Sequence, residues 1–351
     1  MVSIKQLLED TIKREGSDLH LLVGYYPTIR VNTKLYQLKT DDVLTKETSE
    51  ELIFSLLTTE QKTLLINNRE IDVSYALLGY RFRVNCYYAK STLAACFRII
   101  PPVIKSIDEL NLPSQFHTFS QFHDGLVLIC GPTGEGKTTS LAAIVNEINL
   151  EETKHIVTVE DPIEYVFPKA KSIVSQRELH YDTHSWTKAL TSVLREDPDV
   201  VLIGEMRDYD TIQAALNIAE TGHLVFSTLH SSTTPEAIFR IIDVFPPHQQ
   251  TQVRYQLASV LKAAITQRLL PNINNSTRIP AVEILINMPA VSSIIREGKI
   301  FMLDNVIETN EENKMILFEK YLLKLYSQGL ISRDTAIRYA ERSSELSKFI
   351  K

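Results

Sequence analysis

The chain has 351 residues, 44% of them hydrophobic and 23% charged, with a formal net charge of −6. At about 150 residues per domain this length predicts two domains with ordinary buried cores. The longest apolar runs fall far short of the ~18 residues of a spanning helix, which excludes membrane insertion, and the acidic balance argues against an extended nucleic-acid surface.

In chain order, Ser3 and Gln6 form a capping-box pattern that opens a helix over residues 4–13. The leading MVSIKQLLED has no apolar signal core, so no export is expected. Short strands are predicted at 17–23 and 27–31 and helices at 48–57 and 59–65. Alternating runs at 71–77, 80–88 and 93–100 read as three strands. Pro101-Pro102 ends this first α/β unit, set at 1–102. Residues 103–122 read as a linker with one short helix. Apolar runs at 125–130, 155–159, 199–203 and 223–229 follow, most of them separated by helix-length segments. Buried parallel strands covered by helices on both faces have this pattern, and the second domain is set at 123–287. A strand at 281–286 then leads to helices at 289–297, 315–327 and 334–342, a helical C-terminal segment over 288–351, and residues 272–277 read as a flexible loop. Cys86, Cys96 and Cys130 make no closely spaced even set and no CxxC pair, so they read as reduced core thiols.

Glycine is scarce, with 11 residues against roughly 25 at average usage, yet Gly131, Gly134 and Gly136 fall within six positions. The run Gly131-Pro132-Thr133-Gly134-Glu135-Gly136-Lys137-Thr138 matches GxxxxGK(S/T) in full, with an apolar strand before it and a helix from Thr139 after it. Glycines let successive backbone N–H groups face a phosphate, and the helix N-terminus adds favourable partial charge. Lys137 would reach the β- and γ-phosphates and Thr138 would ligate Mg²⁺. Two apolar strands each deliver a carboxylate, Glu160 and Glu205, to their C-terminal ends, where open α/β sheets bind ligands. Glu205 is a candidate partner of Mg²⁺ through water, and Asp161 and Asp208 read equally as site acids or helix caps. Gly222 turns the chain into a strand with a histidine at each end. His230 is placed to sense a γ-phosphate, and His223 reads as structural.

Together, GPTGEGKTT, TVEDPIEY, LREDPDVVLIGEMRD and AETGHLVFSTLH, in that order, resemble the secretion-superfamily ATPases, and within them the type IV pilus retraction or twitching-motility family. The likeness extends through Ser17-Asp-Leu-His-Leu21, Arg81-Phe-Arg-Val-Asn85, Phe97-Arg98 and the later Arg240-Ile-Ile-Asp-Val-Phe-Pro246. It implies a PAS-like N-terminal α/β domain, a RecA-like P-loop domain with a parallel-rich sheet, and a helical C-terminal segment. It further implies an ATP- and Mg²⁺-dependent homo-hexamer, cytoplasmic at the inner-membrane base of the pilus machine. Its partners would be an inner-membrane platform protein and a paralogous motor ATPase, with neither nucleic acid nor direct membrane insertion. In that likeness Glu160 corresponds to the catalytic base, Glu205 to the Walker-B glutamate, and His223 and His230 to the histidine box, with His223 joining the loop residues through Thr139 as a nucleotide contact. Arg81, Arg83 and Arg98 are unranked candidates for arginine contacts to nucleotide. The family's retraction motif AIRNLIRE stands here as Ala290-Val-Ser-Ser-Ile-Ile-Arg-Glu297. The apolar positions Ala290, Val291, Ile294 and Ile295 persist, while Ser292 and Ser293 replace Arg and Asn. A motor of a type II or type IVB secretion system, or a non-hydrolysing scaffold subunit, would share the same core motifs.

Overall fold

The computed structural model describes all residues except 1–2, 32–33, 40–41, 101–102, 275–276, 342, 344–345 and 347–351. The Pro101-Pro102 stop, the middle of the 272–277 loop and residue 342 at the end of the last predicted helix therefore lie outside the described residues. The chain divides into two compact units, Met1–Val103 with Pro162–Val166, and Ile104–Asp161 with Phe167–Lys351.

The first unit is an antiparallel sheet with helices on one face. Its elements are α1 (Ile4–Lys13), β1 (Asp18–Leu21), β2 (Thr28–Val31), β3 (Lys34–Gln37), α2 (Lys46–Phe54), α3 (Thr59–Asn68), β4 (Glu70–Leu77), β5 (Tyr80–Ala89) and β6 (Thr92–Ile100), and the strand order is β3-β2-β1-β6-β5-β4. All three helices start at capping boxes, led by Ser3, Thr45 and Thr58. Strand alternation puts Leu19, Leu21, Phe82, Val84, Ala95 and Phe97 on one face, where they form a core with Leu7, Leu8, Ile53 and Leu65 of the helices. The opposite face is polar. Arg83 pairs with Arg98, Asp18 with Arg98, and Asp18 with Arg30 across the ladders. Strand β3 escapes the sequence pattern because all four of its residues are exposed and no apolar alternation marks it.

The second unit holds α4 (Phe116–Ser120), β7 (Gly125–Cys130), α5 (Lys137–Glu151), β8 (His155–Glu160), β9 (Ile173–Glu178), α6 (Trp186–Val193), β10 (Val200–Ile203), α7 (Tyr209–Glu220), β11 (Leu224–Leu229), α8 (Thr234–Asp243), α9 (Pro247–Val260), β12 (Leu261–Pro271), β13 (Arg278–Ile286), α10 (Pro289–Glu297), α11 (Leu303–Thr309), α12 (Phe318–Ser327) and α13 (Arg333–Tyr339). Its sheet runs β13-β12-β7-β11-β10-β8-β9. Six of these strands are parallel, and only the edge strand β13 runs antiparallel, against β12. Every residue of β7, β10 and β11 is buried, as strands covered on both faces require. The stretch expected as a linker falls in this unit from Ile104 onward, with Phe116 and Phe119 fully buried in it.

One junction departs from a simple ladder. Leu261 pairs with Leu126 and Ala263 with Val127, so Lys262 is an extra residue bulged out of β12. Gly125 makes room for it. Its φ is +96°, and a Cβ there would lie 2.5 Å from the Lys262 side chain.

In α10, Val291 and Ile295 are fully buried, Ile294 is half-buried and Ala290 is exposed. Ser292 donates to the Ala258 carbonyl (2.9 Å) and to Asn287 Oδ1 (3.0 Å), while Asn287 Nδ2 donates to the carbonyls of Ala258 and Leu261. Ser292 thus ties α10 to the end of α9. Ser293 faces outward and bonds Glu297 on its own helix.

Candidate nucleotide site

The phosphate loop joins β7 to α5 at the C-terminal edge of the sheet. Gly131, Gly134 and Gly136 have φ of +146°, +82° and +76°, a region that L side chains rarely adopt. Gly136 is the N-cap of α5 and offers no side-chain acceptor, which leaves the first helical N–H groups facing the loop. Lys137 is 7% exposed, and its Nζ donates to the carbonyls of Gly131 (2.7 Å) and Pro132 (2.8 Å). Thr138 and Thr139 follow in the first turn of α5. A curved run of amides, an open helix end and a cation folded inward fit a polyphosphate.

Strand β12 braces this loop from the side. Because Thr266 pairs with Cys130, the next residue, Gln267, stands beside Gly131. The Gln267 amide is buried. Nε2 donates to the Glu135 carbonyl (2.8 Å), and Oε1 accepts from the Ser140 hydroxyl (2.8 Å). The Leu269 N–H donates to the Glu135 carboxylate, and Arg278 donates to the Gly134 carbonyl. A Cβ on Gly131 would lie 2.4 Å from the Gln267 carbonyl oxygen. Gly131→Ala should therefore displace the loop, at a cost of about 1–3 kcal/mol from the backbone angle alone. We expect a lower melting temperature and at least tenfold weaker ADP binding, read by thermal melts with and without ADP; an ADP-induced stabilisation equal to that of the parent would contradict this.

The carboxylates arrive at the same edge. Glu160 ends β8 and is 5% exposed; its Oε1 accepts from Thr158 Oγ1 (2.6 Å) and Gln176 Nε2 (3.2 Å). Strands β11 and β10 lie between β7 and β8, so about 14 Å of sheet separates the two strand axes. Glu205 follows β10, whose end is fixed by Ser227 and Thr228 hydroxyls donating to the carbonyls of Ile203 and Gly204. Glu205 pairs with Arg207 and, at 3.3 Å, with His230 Nε2. Burial lowers the His230 pKa, and the Lys137 charge lowers it further against the pull of Glu205. His230 is thus biased toward the neutral imidazole, able to report on charge at the loop.

Other residues lie elsewhere. Asp208 is a helix cap: it leads a capping box on α7 and accepts from the Thr211 N–H. His223 sits at the N-terminal edge of β11, opposite the phosphate loop. Its Nδ1 meets Thr221 Oγ1 and the Ile218 carbonyl at the end of α7, so the chain does not bring it to the loop. Arg81, Arg83 and Arg98 share the polar face of the first unit. Arg81 donates to Ser74 (2.9 Å), Arg83 to Asp72 (3.0 Å) and Arg98 to Asp18 (3.0 Å), and Glu164 lies 3.8 Å from Arg83. Sequence reasoning missed Gln267, Ser140, Thr158 and Arg207. The last two stand within two residues of the glutamates they contact, a spacing that could have flagged them.

Behind the loop, Glu283 on β13 accepts from the N–H and hydroxyl of Thr234 at the start of α8. Burial pushes its carboxyl up to about 7 from an ordinary value of 4.5, with Asp304 adding to the rise and Thr234 opposing it. The folded chain then holds this proton more tightly than the unfolded chain does. Its contribution to stability is full below about pH 4.5 and is lost as pH rises through about 7. Glu283→Gln mimics the protonated form. Its melting temperature relative to the parent should therefore improve between pH 5 and pH 8; a constant difference would refute the linkage. Cys130 and Cys86 are buried and unpaired by disulfides, and burial pushes both thiols up to about 12, as expected of inert core cysteines.

A strand–loop–helix phosphate cradle, with two glutamates and a histidine on the same edge of a parallel sheet, defines a P-loop nucleotide-hydrolase core. The model of the family described as Type II/IV secretion system protein matches residues 104–341, and the chain belongs to that family. It is 42% identical over 322 residues to a twitching motility protein of Neisseria gonorrhoeae, covering 92% of this chain and 86% of the relative. It is 40% identical over 336 residues to the type IV pilus retraction ATPase PilT of Pseudomonas aeruginosa, covering 95% and 97%. A crystal structure of the pilus retraction motor PilT with bound ADP superposes with a TM-score of 0.91 at 39% identity, covering 99% of this chain and all of the other. Among the described residues, no helix is long and apolar enough to cross a membrane.

Proposed function

We propose that this chain is an ATP-hydrolysing motor that powers type IV pilus retraction as a ring of six copies. The observation that carries the reading is the complete hydrolase edge (Lys137, Glu160, Glu205 and His230) in a chain that aligns over more than nine-tenths of its length with a pilus retraction ATPase. In this reading the loop amides and Lys137 hold the β- and γ-phosphates. The Thr138 hydroxyl and, through water, Glu205 would hold Mg²⁺, which would supply neutralising charge at the phosphate oxygens. That donor set suits an ion that keeps most of its waters and takes phosphate oxygens. Glu160 accepts the proton of the attacking water, and His230 reads the γ-phosphate through its bond to Glu205. ATP favours one arrangement of the ring and ADP another, and the difference in affinity drives the motion. An arginine of the first unit, Arg81, Arg83 or Arg98, supplies charge to a nucleotide, and the ring works on a membrane platform protein beside a paralogous ATPase.

The test is to delete the gene and score surface pili and surface spreading. Abundant pili on cells that no longer twitch are expected. Normal pilus numbers with normal twitching would overturn the reading.

A further inference from the structure

We propose that Gln267 is a positioning residue of the phosphate loop, holding it in its anion-binding shape before nucleotide arrives. The proposal rests on the reading of that loop as the ATP site. The amide of Gln267 bonds the loop at the Glu135 carbonyl and the first turn of α5 at the Ser140 hydroxyl. Gly136, Lys137, Thr138 and Thr139 all lie between those two anchors. The main-chain oxygen of the same residue abuts Gly131, so one residue of a neighbouring strand touches the loop at its start, near its end at Glu135, and the first turn of α5 at Ser140.

The second consequence is electrostatic. Glu135 places a carboxylate inside a loop meant for an anion. Its oxygen is drawn onto the Leu269 N–H, two residues along from Gln267, while Gln267 fixes the Glu135 backbone. Together these bonds hold the negative charge away from the cradle, where at short range it would oppose phosphate. A loop ordered in advance pays less entropy on binding. Gln267 therefore acts on nucleotide affinity far more than on the chemical step.

Gln267→Met keeps length and approximate volume but makes neither bond. We expect KM for MgATP and Kd for ADP to rise about tenfold, with kcat changed less than about threefold. Gln267→Glu can still accept from Ser140 but cannot donate to the Glu135 carbonyl, and it should lose at least as much affinity. Ser140→Ala removes one anchor with Gln267 intact, and a two- to threefold rise in Kd is expected even if the Gln267 variants fold poorly. Lys137→Ala is measured in parallel. If Lys137→Ala loses ADP binding while Gln267→Met and Ser140→Ala bind it as the parent does, the positioning role is overturned and the ATP site stands. If Lys137→Ala also binds normally, the ATP-site reading itself fails. A fall in melting temperature of Gln267→Met with unchanged Kd and KM would make Gln267 merely structural and would likewise overturn the proposal.

Discussion

Lys137→Ala is expected to remove ATP turnover almost entirely, with kcat/KM falling by at least about 10²–10³-fold, the loss seen when even one preorganised hydrogen-bond donor to a transition-state oxyanion is deleted. In the structure the Lys137 ammonium is folded onto the Gly131 and Pro132 carbonyls, inside the curve of the loop. Phosphate oxygens approaching that curve meet a cation already in position. Without it, the loop offers only amides and a helix terminus worth about half an elementary charge. Released phosphate gives the primary measurement, and circular dichroism checks that the variant folds. A second readout is independent of activity. The Lys137 charge depresses the His230 pKa, so Lys137→Ala should raise it, visible as a shift in the imidazole titration followed by NMR. Normal turnover with an unmoved His230 titration would exclude Lys137 from the site.

Glu160→Gln is expected to lower kcat by about 10²–10⁴-fold, the usual contribution of a positioned general base, while leaving ADP affinity within about threefold. The two effects separate because of the strand order. Glu160 ends a strand three places from the one that feeds the phosphate loop, too far to grip phosphates bound at the loop. The glutamine keeps an oxygen to accept from Thr158 but cannot take a proton from water. Phosphate release under saturating MgATP and direct ADP binding measure the two quantities. A kcat within fivefold of the parent would remove Glu160 from the chemistry, and a large loss of ADP affinity would mean that it supports the fold of the site instead.

The sequence was legible where a local rule decides the structure. The capping box at Ser3, the buried strand at 125–130 and the glycine loop are each set by a few neighbouring residues, and they stand where the patterns place them. The edge carrying Glu160, Glu205 and His230 followed from the same logic, since parallel strands deliver their C-terminal residues to one side. Strand β12 was not legible, because α9 passes into it at Leu261 with no glycine, proline or polar turn to mark the change. An apolar run without such marks reads equally well as helix or strand. Gln267 was hidden with it. The partners of the three arginines were hidden for another reason: Arg98 meets Asp18 across 80 residues of chain, and only the sheet order brings them together. The histidines show how far direction matters. His223 and His230 flank one strand, and the strand's polarity puts them on opposite edges.

The extra residue at Lys262 bears on how this chain can vary in length. If Lys262 entered the ladder opposite Val127, every later residue of β12 would move forward one place along β7. Thr266 would stand beside Gly131, and the Gln267 side chain would turn to the other face of the sheet. The grip on the phosphate loop is therefore set about five residues upstream, at a kink held by the Lys262–Asp124 ion pair and by the Asn287 N–H on the Lys262 carbonyl. An insertion or deletion between α9 and Ala263 would change nucleotide binding without touching a nucleotide contact. Related chains that keep this glycine loop should agree in length between α9 and Ala263.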